Sequence, residues 1–139
     1  MRLNGAPFQS FNPNLTLNAE FVHQRNANRD REVRANAWYV EPGYKFASLP
    51  WSPMAFYRYA QFSGDKDPGD RTDRSYDPLF VTGGVRGAGP GTWFLGEIYS
   101  QYLGVLSNIN VHQVHVRASP TETLNLGVLL FRFAFDDNR

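Results

Sequence analysis

The sequence predicts an all-β chain, a segment of an antiparallel, up-and-down transmembrane β-barrel with about five to six strands and one long extracellular loop. Short stretches alternate apolar and polar residues with a period of two. Aromatic residues and glycine are abundant, with 11 Phe, 7 Tyr, 3 Trp and 12 Gly in 139 residues, while the average hydropathy is polar. Within the strands, basic residues take the parity opposite the aromatic rows, as expected where one face meets lipid and the other meets water.

The first patterned stretch is LTLNAEFVHQR, where Leu15, Leu17, Ala19 and Phe21 alternate with Thr16, Asn18 and Glu20. After the polar tip NANRDRE comes VRANAWYVEPGYKF, with Trp38, Val40, Tyr44 and Phe46 on one parity and Tyr39, Glu41 and Lys45 on the other. Pro42 and Gly43 predict an interruption or bend in this second strand. The turn ASLPWSP carries two prolines around Trp51 and stops the ladder. A third strand, from Met54 to Phe62, sets Tyr57 and Tyr59 against Arg58.

Residues 63–107 are rich in Gly, Pro and charge, and are too long for the usual link within a compact soluble domain. They read as one large external loop. Within it TWFLGEIYSQYL fits a short amphipathic helix slightly better than a strand. The clearest hairpin comes last: NINVHQVHVRAS alternates Val114, Val116 and Ala118 against Gln113, His115 and Arg117, and SPTET leads into LNLGVLLFRFAF. There Arg132 sits between Phe131 and Phe133, so Leu129, Phe131, Phe133 and Phe135 form the row opposite the arginine. Barrel logic makes residues 47–53 and 119–123 short periplasmic turns.

The formal net charge of +1 and the absence of a basic cluster give no field for nucleic acid. The lack of Cys excludes disulfides, thiolate metal sites and thiol nucleophiles. No run approaches the ~18 apolar residues of a membrane-spanning helix, whereas a barrel strand needs only about 9–11 residues in alternation. The N-terminal MRLNGAPFQSFNPN has neither a basic region nor an apolar core of a secretion signal, which for an exported chain implies processing or truncation.

The ordered strings AWYVEPGYKF, LPWSPMAFYRYAQFSGD, YDPLF from Tyr76 to Phe80, GTWFLGEIYSQYL, SNINVHQVHVRASPTETLNLG and FRFAFDD resemble the alginate export family of outer-membrane β-barrels. The likeness spans nearly the whole chain, so residues 1–139 are expected to form part of one such barrel domain. It implies a pore that passes an anionic polysaccharide or similar anionic solute without covalent chemistry. The expected surroundings are outer-membrane lipid, lipopolysaccharide and the remaining strands of the same barrel. A member of the family is expected to continue with further strands after FRFAFDD, and five or six strands fall short of the even number, from eight upwards, that closes a bacterial barrel.

The candidate pore-lining residues are Glu41, Lys45, Arg58, His115, Arg117 and Arg132. Read functionally, Arg58, Arg117 and Arg132 with Lys45 form a cationic track, because guanidinium groups stay charged and grip carboxylates. Read structurally, they pair with acids such as Glu20 and Glu41 and hold the wall together. Likewise Trp38, Tyr44, Trp51, Tyr57 and Tyr59 suit either sugar stacking or, by their place near strand ends, an interfacial girdle. His112 and His115 have opposite parity in a strand and cannot share a metal ion. The acids Asp65, Asp67 and Asp70 lack the spacing and terminal Glu of a calcium loop, and VTGGVRGAGPG lacks a phosphate-binding lysine. No catalytic constellation and no cofactor are implied. The alternatives are a soluble β-barrel that binds a small ligand, with its aromatic rows inside, and a β-rich domain of a secreted enzyme.

Overall fold

The computed structural model describes residues 1–5, 10–27, 31–77 and 106–136. The elements are β1 (Arg2–Gly5), β2 (Leu15–Ala27), β3 (Glu32–Lys45), β4 (Met54–Phe62), β5 (Thr72–Asp73), β6 (Ile109–Ala118) and β7 (Leu126–Phe135). They form one sheet in the order β1-β2-β3-β4-β6-β7, with every neighbour antiparallel and the two-residue β5 lying parallel beside the start of β3. The all-β, antiparallel expectation therefore holds. β1 carries no alternation that marks it as a strand in the sequence, and the helix-or-strand question at TWFLGEIYSQYL falls outside the described residues.

Pro42 does not interrupt β3. The strand runs unbroken from Glu32 to Lys45, and its ladder to β4 passes over Glu41 and Pro42 and resumes at Gly43 opposite Phe56 in the same register. Proline lacks an N–H, so only a local ladder bond is lost while the neighbours on both sides keep the strand extended. Phe56 lies over Gly43, where a methyl group would overlap its ring and approach Thr16 Oγ1 to 2.6 Å.

Alternation divides the sheet into two faces. The inward face carries Tyr39 and Glu41 of β3, Phe56, Arg58, Ala60 and Phe62 of β4, and Ile109, Val111, Gln113 and His115 of β6, all buried. The outward face carries Leu17, Ala19 and Phe21 of β2, which pair with Pro42, Val40 and Trp38, and continues through Tyr59 and His112 to Arg132. It leaves large apolar side chains open, Leu130 at 63% exposure among them.

The core sits on the inward face at one end of β3, β4 and β6. Small Ala37 and Ala60 leave a hollow that Tyr39, Phe62, Ile109 and Val111 fill, and Tyr76, Leu106 and Phe131 pack on top. Burying a side chain such as Phe62 contributes about 2–3 kcal/mol. Ser63 ties Arg74, Tyr76 and Asn108 together there: its carbonyl accepts from the amides of Tyr76 (2.9 Å) and Asn108 (3.2 Å), and its Oγ donates to the carbonyl of Arg74 (2.7 Å). Hence the first part of the loop folds back over the sheet. Within it Arg74 binds Asp70 at 2.8 Å and Asp65 at 3.4 Å, and Arg31 reaches Asp65 and Asp73.

Candidate functional site

The β3, β4 and β6 registers stack the inward side chains in rows. Nearest the short turns, Lys45 pairs with Met54 and Met54 with Arg117; next come Gly43, Phe56 and His115; then Arg58 stands opposite Gln113 with Glu41 beside it. Five of the six expected pore residues, Glu41, Lys45, Arg58, His115 and Arg117, thus share one face. Arg132 does not join them. It pairs with His112, which pairs with Tyr59, so it belongs to the outward face, while Phe131 pairs with Gln113 and turns inward.

This corrects the parity expected for the last strand, where the phenylalanine row was to face away from the arginines. In LGVLLFRFAF both parities are apolar apart from Arg132, so alternation alone does not choose a side. The register set by the 119–125 turn does, and it places Phe131 against the loop-covered core.

Arg58 and Glu41 are the deepest charges, each 1% exposed. Arg58 donates through Nε to Glu41 Oε2 at 2.8 Å, and its Nη2 lies 2.6 Å from the same oxygen. Asn18 of β2 donates to Glu41 Oε1 at 3.0 Å, and the guanidinium carbon stands 4.6 Å from the centre of the Tyr39 ring. The desolvated charges are thereby compensated from three strands. Asn18 takes the polar parity of β2, but nothing local in the sequence marks it as a partner of Glu41.

Towards the turns the environment opens. Arg117 stacks over the Phe56 ring at 5.5 Å and donates to Met54 Sδ at 3.3 Å, and the ring of His115 lies 5.7 Å from that of Phe56. Lys45, Trp51, Met54, Arg117, Ser119 and Asn125 are among the residues around a cavity of about 570 Å³. Trp51 and Ser52 adopt left-handed backbone conformations, with φ of 66° and 42°, of a kind that costs about 1–3 kcal/mol per residue outside glycine. The amide of Ser119 donates to the Trp51 carbonyl at 3.2 Å, tying the two turns together and leaving the indole 61% exposed.

The outward face has its own chemistry. Trp38 donates to Gln61 at 2.8 Å, the Trp38 and Tyr59 rings are 5.2 Å apart, and Tyr57 bonds His112 at 2.7 Å. Tyr44 and Phe46 meet at 4.9 Å near the opposite end. Trp38 and Tyr44 stand about 20 Å apart along β3, from its residue spacing. His112 is outward and His115 inward, so the two do not converge. Asp65, Asp67 and Asp70 cap the amides of Asp67, Gly69 and Thr72, and so serve the loop's own turns.

Long antiparallel strands in one open sheet, an outward face of open apolar and aromatic side chains, an inward face joining buried polar groups to an apolar core, and short turns at one end are the features of one sector of a β-barrel wall. The chain belongs to the alginate export family, whose sequence profile matches residues 1–139. That family comprises outer-membrane channels for polysaccharide export, transport proteins and not enzymes. No curated protein and no solved structure matches the chain.

Proposed function

We propose that this sheet is one sector of an outer-membrane channel for an anionic polysaccharide or similar anionic solute, that its inward face lines the conduit, and that further strands of the same barrel complete the wall. The observation that carries this reading is the division of one continuous sheet into an outward face whose large apolar and aromatic side chains are open and an inward face where buried polar groups, Glu41 with Arg58, Gln113 and His115, adjoin the apolar core. A soluble ligand-binding barrel would turn its aromatic rows inward; Trp38, Tyr57 and Tyr59 lie on the outward face, opposite Arg58, while the Phe131 row of β7 turns inward onto the core. The short turns lie on the periplasmic side and the 63–107 excursion outside, in keeping with barrel architecture.

Within the conduit Lys45 and Arg117 contact the solute at the periplasmic mouth, because they are exposed there beside Trp51, whose face suits a sugar ring. Arg58 is committed to Glu41 and serves the wall. Planar-bilayer recording of the assembled barrel tests this division. Lys45→Glu with Arg117→Glu is expected to shift ion preference towards cations and weaken block by oligouronates, while replacing Glu41 and Arg58 together by Leu and Met leaves preference unchanged. Unchanged selectivity in an inserted Lys45→Glu/Arg117→Glu barrel would overturn the assignment.

A further inference from the structure

A second cavity, of about 350 Å³, opens on the outward face at the loop end of the strands. Its floor is aromatic, with Phe21 and Trp38 paired across β2 and β3. One outward row higher stands Asn36, and one beyond it Arg34, joined by Lys66 and Arg74 from the loop. Below the floor the same two strands continue with Ala19 beside Val40 and Leu17 beside Pro42, an apolar column leading away from the cations. From Trp38 to Arg34 is four residues, ~13 Å along a strand.

Such an order, apolar column, aromatic floor, then cations, follows the profile of a bilayer from acyl chain to headgroup. We propose that this cavity binds the phosphoryl headgroup of an anionic membrane lipid, whose acyl chain lies along the column below; the proposal rests on the reading of the outward face as lipid-facing. The donors suit a phosphoryl group. Glu32 occupies Nε and Nη2 of Arg34, at 2.9 and 3.1 Å, and a guanidinium carries five N–H donors, so Nη1 remains to grip a phosphoryl oxygen. Arg74 is held in place by Asp70 and Asp65, and Lys66 is exposed and forms no ion pair among the described residues. Asp136, the carboxylate at the cavity wall, accepts from Gln61 at 2.6 Å and from Asn110 at 3.2 Å, so its Oδ1 is held to the sheet. A free anion in solution would use the cations alone and gain nothing from the floor and column, and for that reason the ligand is a lipid.

Native mass spectrometry of the assembled barrel in non-ionic detergent tests the site, with diphosphorylated lipid A, the same lipid stripped of phosphate, and inorganic phosphate as probes. Phosphorylated lipid is expected to be retained in preference to the stripped form. Lys66→Glu is expected to weaken that retention about tenfold, with Lys66→Arg retaining it. Equal retention of both lipids, or a Lys66→Glu barrel that binds like the parent, overturns the proposal. Displacement by inorganic phosphate at the lipid's own concentration also overturns it, in favour of a soluble-anion site. A spin label at Val40→Cys keeps the two readings apart, since the chain has no cysteine of its own. Collisions with oxygen over a nickel chelate establish that this face is in lipid even where headgroup preference is absent, and the reverse pattern removes the face assignment itself.

Discussion

Glu41 and Arg58 lie side by side on β3 and β4, the carboxylate Oε2 2.6 Å from Nη2 and 2.8 Å from Nε, with both side chains almost wholly out of contact with water. An arginine held this way has a partner already, so it steadies the wall and leaves anion contact to cations nearer the mouth. Removing one member strands a buried charge, whereas removing both removes the need for compensation.

Arg58→Met or Glu41→Leu alone is therefore expected to destabilise the barrel by about 3–5 kcal/mol, and the double replacement by much less. Thermal unfolding of the folded, heat-modifiable form in detergent measures this. Additive losses would show that the two charges are not coupled.

Gly43→Ala puts a methyl group into the Phe56 ring and against Thr16, and overpacking of this kind costs about 1–3 kcal/mol. In a Phe56→Ala background the added cost falls, because the larger obstruction has gone, with the Thr16 contact remaining. An unchanged unfolding midpoint for Gly43→Ala in the parent would contradict the close packing of ring on glycine.

Loop bracing depends on pH through Asp70. Its hydrogen bond from Arg74, with a further one from the Thr72 amide, holds its carboxyl below the ordinary carboxylate value of 3.8. A lowered folded value means that the contribution is present above the unfolded value and is lost as pH falls through the folded one. The Thr72 amide resonance, whose N–H meets Asp70 Oδ1 at 2.7 Å, is expected to hold steady near neutrality and to shift as pH falls through the folded value, which lies below 3.8. Asp70→Asn abolishes that titration; its persistence in the variant would assign the transition to another acid.

Spin labels at consecutive positions of β7 read the register directly. Leu130→Cys is expected to report oxygen collisions typical of lipid, and Phe131→Cys to be shielded under the loop-covered core. The opposite pattern would return Arg132 to the face of Arg58.

Much of this was legible in the residues themselves. Period-two alternation determined which side chains share a face within β2, β3, β4 and β6, because successive Cβ atoms point to opposite sides of any strand. On β3 and β4 it grouped Glu41 and Lys45 and set Arg58 against its tyrosines. Motif order identified the family resemblance as well. What alternation does not carry is the join between strands: it gives the two faces of β7 but not which one continues the face of Arg58, and there both parities are nearly equally apolar. That choice came from the turn after β6, since a one-residue slip in register inverts every side chain. Pro42 and Gly43 predict an interruption or bend because the missing N–H is a local fact, while the pairing that carries β3 past it is supplied by β2, more than ten residues away in sequence. The fate of Arg58 was likewise decided in three dimensions. Sequence could say that it needed water or a partner, and only the approach of β2 and β3 supplied Asn18, Tyr39 and Glu41 within reach, turning an available cation into a neutralised one.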